Sequence, residues 1–98
     1  MRVHWTDRAK RRLRLLHDHI AKDAPLVAPR VIERLVRRSM QIGELPYAGR
    51  EVPEYQRHDV RELLERPYRI LYRILPDRID VITVMHYRQL LPSDLEGP

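Results

Sequence analysis

The sequence predicts an α+β domain of order β-α-α-β-β-β, in which an N-terminal strand and a helical hairpin pack on an antiparallel sheet. Three observations predict it. Apolar residues recur at helical spacing between residues 9 and 42, strand-like alternation returns three times after residue 60, and a Gly- and Pro-rich segment separates the halves. A chain of 98 residues has material for one core, so residues 1–98 read as a single domain.

Arg2 to Trp5 reads as a short strand. Thr6 and Asp7 then supply an N-cap and a first-turn carboxylate for a helix. In that helix Ala9, Leu13, Leu16 and Ile20 form one apolar stripe, and Arg8, Arg11, Arg12 and Arg14 lie mostly off it. Lys22 to Pro25 breaks the pattern, after which Ile32, Leu35, Ser39 and Ile42 continue it towards Gly43. Pro29 either opens this second helix or kinks its first turns, because a proline inside a helix removes a hydrogen bond and disfavours helical geometry at Ala28. Gly43 to Glu54 holds Gly43, Pro46, Gly49 and Pro53 and reads as a loop.

Three strands follow, Val60 to Leu64, Tyr68 to Leu75 and Ile79 to Tyr87, with turns at Glu65-Arg66-Pro67 and Pro76-Asp77-Arg78. In the middle strand Tyr68, Ile70, Tyr72 and Ile74 share one face, and Arg69, Leu71, Arg73 and Leu75 share the other. The first set suits packing under the helices. The second, mixing charge with leucine, suits a concave face partly open to a ligand.

Charge is uneven. Residues 1–50 hold 12 Lys/Arg against 5 Asp/Glu, and residues 51–98 hold 7 against 9. The basic first half is either a solvated helix face or a surface for an acidic partner, nucleic acid or protein, whose attraction salt weakens. Only 2 of the 19 basic residues are Lys, and the guanidinium suits bidentate pairing with carboxylate or phosphate. The chain has no cysteine, which excludes a disulfide framework, and no apolar run near the ~18–20 residues of a membrane span, so a cytoplasmic protein without a membrane partner is expected. His4, His17, His19 and His58 lack the spacing of a metal site, and no cofactor is expected. No helix-turn-helix or RRM signature points to a dedicated nucleic-acid module.

Four segments in order resemble the RelE/ParE family: V-x-W-T-x-x-A at Val3 to Ala9, G-R-E-V-P-E at Gly49 to Glu54, Y-R-I-L-Y at Tyr68 to Tyr72, and V-x-H-Y-R at Val84 to Arg88, with Arg61-Glu62 as a further familiar pair. The match spans residues 3 to 90. It implies a toxin of a type II toxin-antitoxin system, held inactive in a hetero-oligomer by a cognate antitoxin. ParE-like members inhibit DNA gyrase and pair with ParD-like antitoxins. RelE- and YoeB-like members instead cut messenger RNA on the ribosome as metal-independent endoribonucleases.

RNA cleavage of that kind needs a base for the 2′-hydroxyl, a cation for the phosphate and an acid for the leaving oxygen. Resemblance to YoeB-like toxins puts the carboxylate role on Glu54, the phosphate contact on Arg69, and acid or base work on His86 with Tyr87 beside it, with Arg88 as a second phosphate contact. Period-two geometry points His86 and Tyr87 to opposite faces unless the strand has ended or bulged. Arg69 also has a structural reading, an ion pair with Glu54 or Glu62, and a histidine such as His86 is more often a hydrogen-bonded strand end than a catalyst. Tyr68 and Tyr72 read as core. Where the RelE pattern has two lysines, Val60 and Glu62 stand here, and Leu90 to Asp94 follow where it has a C-terminal tyrosine, which has no counterpart in this sequence. The G-R-x-V-P-E loop, the Arg61-Glu62 pair and the long hairpin are closer to ParE-like members, in which Arg61 and Glu62 read as scaffold. On either reading, Arg8, Arg11 and Arg12 of the first helix are the candidate contacts for an acidic antitoxin segment.

Overall fold

The computed structural model describes residues 1–89. Leu90 to Asp94, which bear on the RelE comparison, lie outside the described residues. The chain runs β1 (Arg2–Trp5), α1 (Asp7–Ala21), α2 (Ala28–Met40), a 3-10 turn (Gln41–Gly43), β2 (Arg50–Glu51), β3 (Val60–Glu65), β4 (Tyr68–Ile74) and β5 (Arg78–His86).

Thr6 starts α1 and ties it to the sheet. Its hydroxyl oxygen accepts from the Ala9 amide at 3.1 Å, and its hydroxyl donates to the Val81 carbonyl at 2.9 Å. Thr6→Ala removes both bonds, and a loss of roughly 1–2 kcal/mol is expected, read as a lower urea midpoint at unchanged m-value. Ala9, Leu13 and Leu16 pack on the core, while Arg11, Arg12 and Arg14 are exposed. Pro29 falls in the first turn of α2, where its missing N–H costs nothing, so the helix starts there without a kink. On the same helix buried Leu35 joins the core, and Ser39 accepts from the Trp5 indole N–H at 3.1 Å while donating to the Val36 carbonyl at 2.7 Å.

Both helices lie on one face of a five-stranded sheet of order β1-β5-β4-β3-β2. The α+β class and the hairpin-on-sheet arrangement are as the sequence predicts, with three corrections. The sheet is mixed rather than antiparallel, because β1 pairs with β5 in parallel, Val3 opposite Ile79 and Trp5 opposite Val81. The chain leaves β1 through two helices and not a tight turn, which frees β1 to run parallel to its partner. The expected loop from Gly43 to Glu54 contains a strand, since Arg50 and Glu51 pair with Glu62 and Arg61. Finally, β5 ends at His86 and carries a bulge: Leu71 pairs with Thr83 but Tyr72 with Val81, leaving Ile82 as an extra residue.

The core beneath the helices comprises Ala9, Leu35, Ile42, Ile70, Tyr72, Ile79, Val81 and Val84, with Tyr68 and Ile74 packed against it. The β4 alternation therefore holds. Arg69 and Leu71 lie on the far side of the sheet, and both are buried. No described helix is long and apolar enough to cross a membrane.

Candidate functional site

The face of the sheet away from the helices is organised around Glu62. Its side chain has no solvent exposure, and it sits between two arginines. Arg69 of β4 donates from Nε to Oε2 at 2.7 Å and also from Nη2, while Arg50 of β2 donates from Nε to Oε1. Such a carboxylate has to be paired, because a lone buried charge costs several kcal/mol. Of the two partners that the sequence offered to Arg69, the structure selects Glu62 over Glu54. The Arg69 side chain is itself only 9% exposed, so its charge is answered within the fold.

Arg61 points to the other side of β3. Its guanidinium reaches the carbonyls of Gly49 at 3.0 Å and Tyr47 at 3.3 Å, and its Nε reaches that of His58 at 3.2 Å. Arg61 and Glu62 thus both hold the loop and the β2 edge in place.

Beside the Glu62 cluster a groove of ≈ 530 Å³ is lined by Arg50, Glu54, Arg66, Arg69 and Tyr87, with Leu64 and Pro67 as apolar wall. Arg88 adjoins it, donating to the Tyr87 hydroxyl at 3.1 Å with its guanidinium 5.4 Å from the ring centre. Tyr55, on the loop after Glu54, is held above its ordinary pKa by burial, against the lowering charge of Arg8, with Glu54 raising and Arg69 lowering it further.

His86 is elsewhere. The bulge at Ile82 shifts the alternation of β5 by one residue, so that Val84 and His86 face the helices and Met85 the open side. The His86 ring meets Tyr68 edge-on at 5.9 Å and stacks on Tyr87 at 4.8 Å. It lines a second groove of ≈ 440 Å³ with Arg12, Leu15, Leu16 and His19 of α1. The structure brings Glu54, Arg69 and Tyr87 to one groove with Arg88 beside it, whereas His86, although it stacks on Tyr87 and accepts from the Arg88 amide at 3.2 Å, lines the other groove.

The open face therefore offers an exposed carboxylate at Glu54 and a phenol at Tyr87. Its central cation is already neutralised by Glu62, and the imidazole that the resemblance assigned to proton transfer opens into a different groove. Among the described residues no three His, Asp or Glu side chains gather as a metal site. Sequence reasoning did not find the second groove. Its one visible signal was Leu15, a leucine beside the apolar stripe of α1 that the structure leaves 60% exposed.

Comparison with known proteins agrees with this architecture. Residues 3–91 match the profile of a family described as the ParE toxin of the type II toxin-antitoxin system parDE. The Sinorhizobium fredii protein named "Putative toxin Y4kP" is 38% identical over 96 residues, covering 96% of each chain. Among solved structures, the chromosomal ParDE system of P. aeruginosa superposes with a TM-score of 0.76 at 24% identity, over 88% of this chain and 95% of that one. The toxin-antitoxin complex RelBE2 of Mycobacterium tuberculosis gives 0.65 at 21% identity, over 87% and 95%. These last two likenesses are of fold. With a family profile spanning nearly the whole chain and a relative at this level of identity, the chain belongs to the ParE toxin family of type II toxin-antitoxin systems.

Proposed function

We propose that this toxin acts by inhibiting DNA gyrase and that a ParD-like antitoxin neutralises it in a hetero-oligomer. The observation that carries the choice of target is the state of Arg69, which is committed to buried Glu62, together with His86 lining the groove beneath α1 and not the one that Arg69 lines. A toxin that acts by binding a protein needs no acid, base and free cation around one phosphate, and the ParE family match favours the same side.

Both solved relatives are described as toxin-antitoxin systems, which supports an antitoxin partner here. The basic α1, with Arg8, Arg11 and Arg12, suits an acidic amphipathic segment that folds as it binds. Association of the purified pair is expected to slow as salt rises. A rate indifferent to ionic strength counts against α1 as the docking face.

Antitoxin-free protein should block supercoiling by purified gyrase and leave ribosome-bound messenger RNA intact. Cleaved RNA with unaffected gyrase overturns the proposal. His86→Ala sharpens the test: it should keep full gyrase inhibition, whereas a nuclease using His86 as acid or base loses about 10²–10⁴-fold in rate.

A further inference from the structure

We infer that the loop Leu45–Gly49 is a second contact surface, separate from the basic helix, through which the toxin grips its target protein. This rests on the reading of the chain as a toxin that binds a protein target.

The loop is held at every step by its backbone. The Leu45 amide donates to Gln41, and the Ala48 amide to Leu45. The buried Tyr72 hydroxyl donates to the Pro46 carbonyl at 2.7 Å and accepts from the Gly49 amide at 3.0 Å. Arg61, itself buried, donates to the Tyr47 and Gly49 carbonyls. A buried polar network of this kind fixes one loop conformation, and the side chains it presents are apolar: Leu45 is 66% exposed and Tyr47 is 57% exposed. Met40, at the end of α2, is exposed as well.

The tyrosine ring is oriented too. It stacks on His58 at 5.4 Å, and the Arg61 guanidinium lies 5.0 Å from its centre. An exposed tyrosine that has already lost its freedom of orientation binds at low further entropic cost, and tyrosine is among the residue types that dominate binding energy at protein interfaces.

Charge tells the two surfaces apart. Helix α1 carries Arg8, Lys10, Arg11, Arg12 and Arg14, a field that draws an acidic segment. Around the loop, Glu44 and Glu51 stand with Arg38 and Arg50, and these arginines pair with Glu65 and Glu62. A balanced rim around Leu45 and Tyr47 fits a partner with an apolar pocket and no strong acidic field. The sheet also separates the surfaces, since α1 packs on β5 while the loop leads into edge strand β2.

The test uses the full chain with Tyr47→Ala and, separately, Leu45→Asp, whose side chains take no part in the loop's backbone bonds. Thermal melts verify folding, and inhibition of gyrase, antitoxin affinity and growth arrest in cells lacking the antitoxin are then measured. A folded Tyr47→Ala protein should need about 30-fold more toxin for half-inhibition, the effect of losing one interface hot spot, while antitoxin affinity stays within about threefold. Inhibition by the unaltered toxin should vary little with salt. The inference is overturned by wild-type potency in both variants, or by a loss of antitoxin affinity that matches the loss of potency. Should the unaltered toxin spare gyrase, the gyrase reading fails and growth arrest decides the inference alone. Arrest lost in the variants with antitoxin binding intact upholds it, and arrest retained overturns it.

Discussion

Arg69→Ala should lower the stability of the domain by about 3 kcal/mol. Removing one member of a buried pair typically costs about 3–5 kcal/mol, because the remaining charge is left without a partner or water. Here the lower end applies, since Arg50 stays on the other oxygen of Glu62. In a domain of this size that is a fall in melting temperature of more than about 10 °C. The same substitution would abolish a nuclease by removing its phosphate contact, so lost toxicity alone cannot separate scaffold from catalyst. A double variant, Arg69→Met with Glu62→Leu, does separate them, because an apolar pair of similar volume often restores what the broken ion pair loses. Recovery of both the melting temperature and growth inhibition identifies the pair as scaffold. A stable but inactive double variant would mean that Arg69 touches the target or substrate directly.

Gly49→Ala is the second substitution with a large expected effect. A Cβ at this position would run into the Tyr72 hydroxyl and lie 2.7 Å from the Glu62 carbonyl oxygen. One obstacle is backbone of β3. The other is a phenol fixed by two hydrogen bonds, which burial holds above its ordinary pKa and hence protonated, against the lowering effect of the Gly49 amide. Neither can yield cheaply, and a loss of roughly 2–4 kcal/mol is expected from overpacking together with displaced buried bonds. Chemical denaturation of Gly49→Ala, Tyr72→Phe and the double variant checks the cause. Without the hydroxyl the alanine has more room, so the double variant should lose less than the two single losses together. Strict additivity would show that Tyr72 is not the obstacle.

Long-range consequences of local pattern separate what the sequence disclosed from what it hid. The α1 stripe, the Pro29 start of α2 and the two faces of β4 were legible because each depends on spacing within one element. The parallel partner of β1 was not, since four residues of Arg-Val-His-Trp carry no direction of pairing. Strand β2 was hidden because two residues between glycines and prolines make no alternation. The bulge at Ile82 had the largest effect on the site. Strict alternation from Asp80 puts His86 on the face of Arg73 and Arg69, and one unpaired residue in an apolar run, Val81 to Val84, turns it to the other face. Glu62 was legible as a possible partner for Arg69, but its complete burial follows from the sheet it sits in.

The bond from Thr6 to Val81 spans 75 positions, and the parallel pairing of β1 with β5, Arg2 opposite Arg78, reaches as far along the chain. Contacts this distant close late, because the entropy of the intervening chain must be overcome before they can form. During synthesis the first strand therefore waits without a neighbour until residues 78–86 have left the ribosome, and the hydroxyl that starts the first helix waits for its distant acceptor. A half-made chain has the residues of the basic helix but not the strand that completes the sheet beside β1.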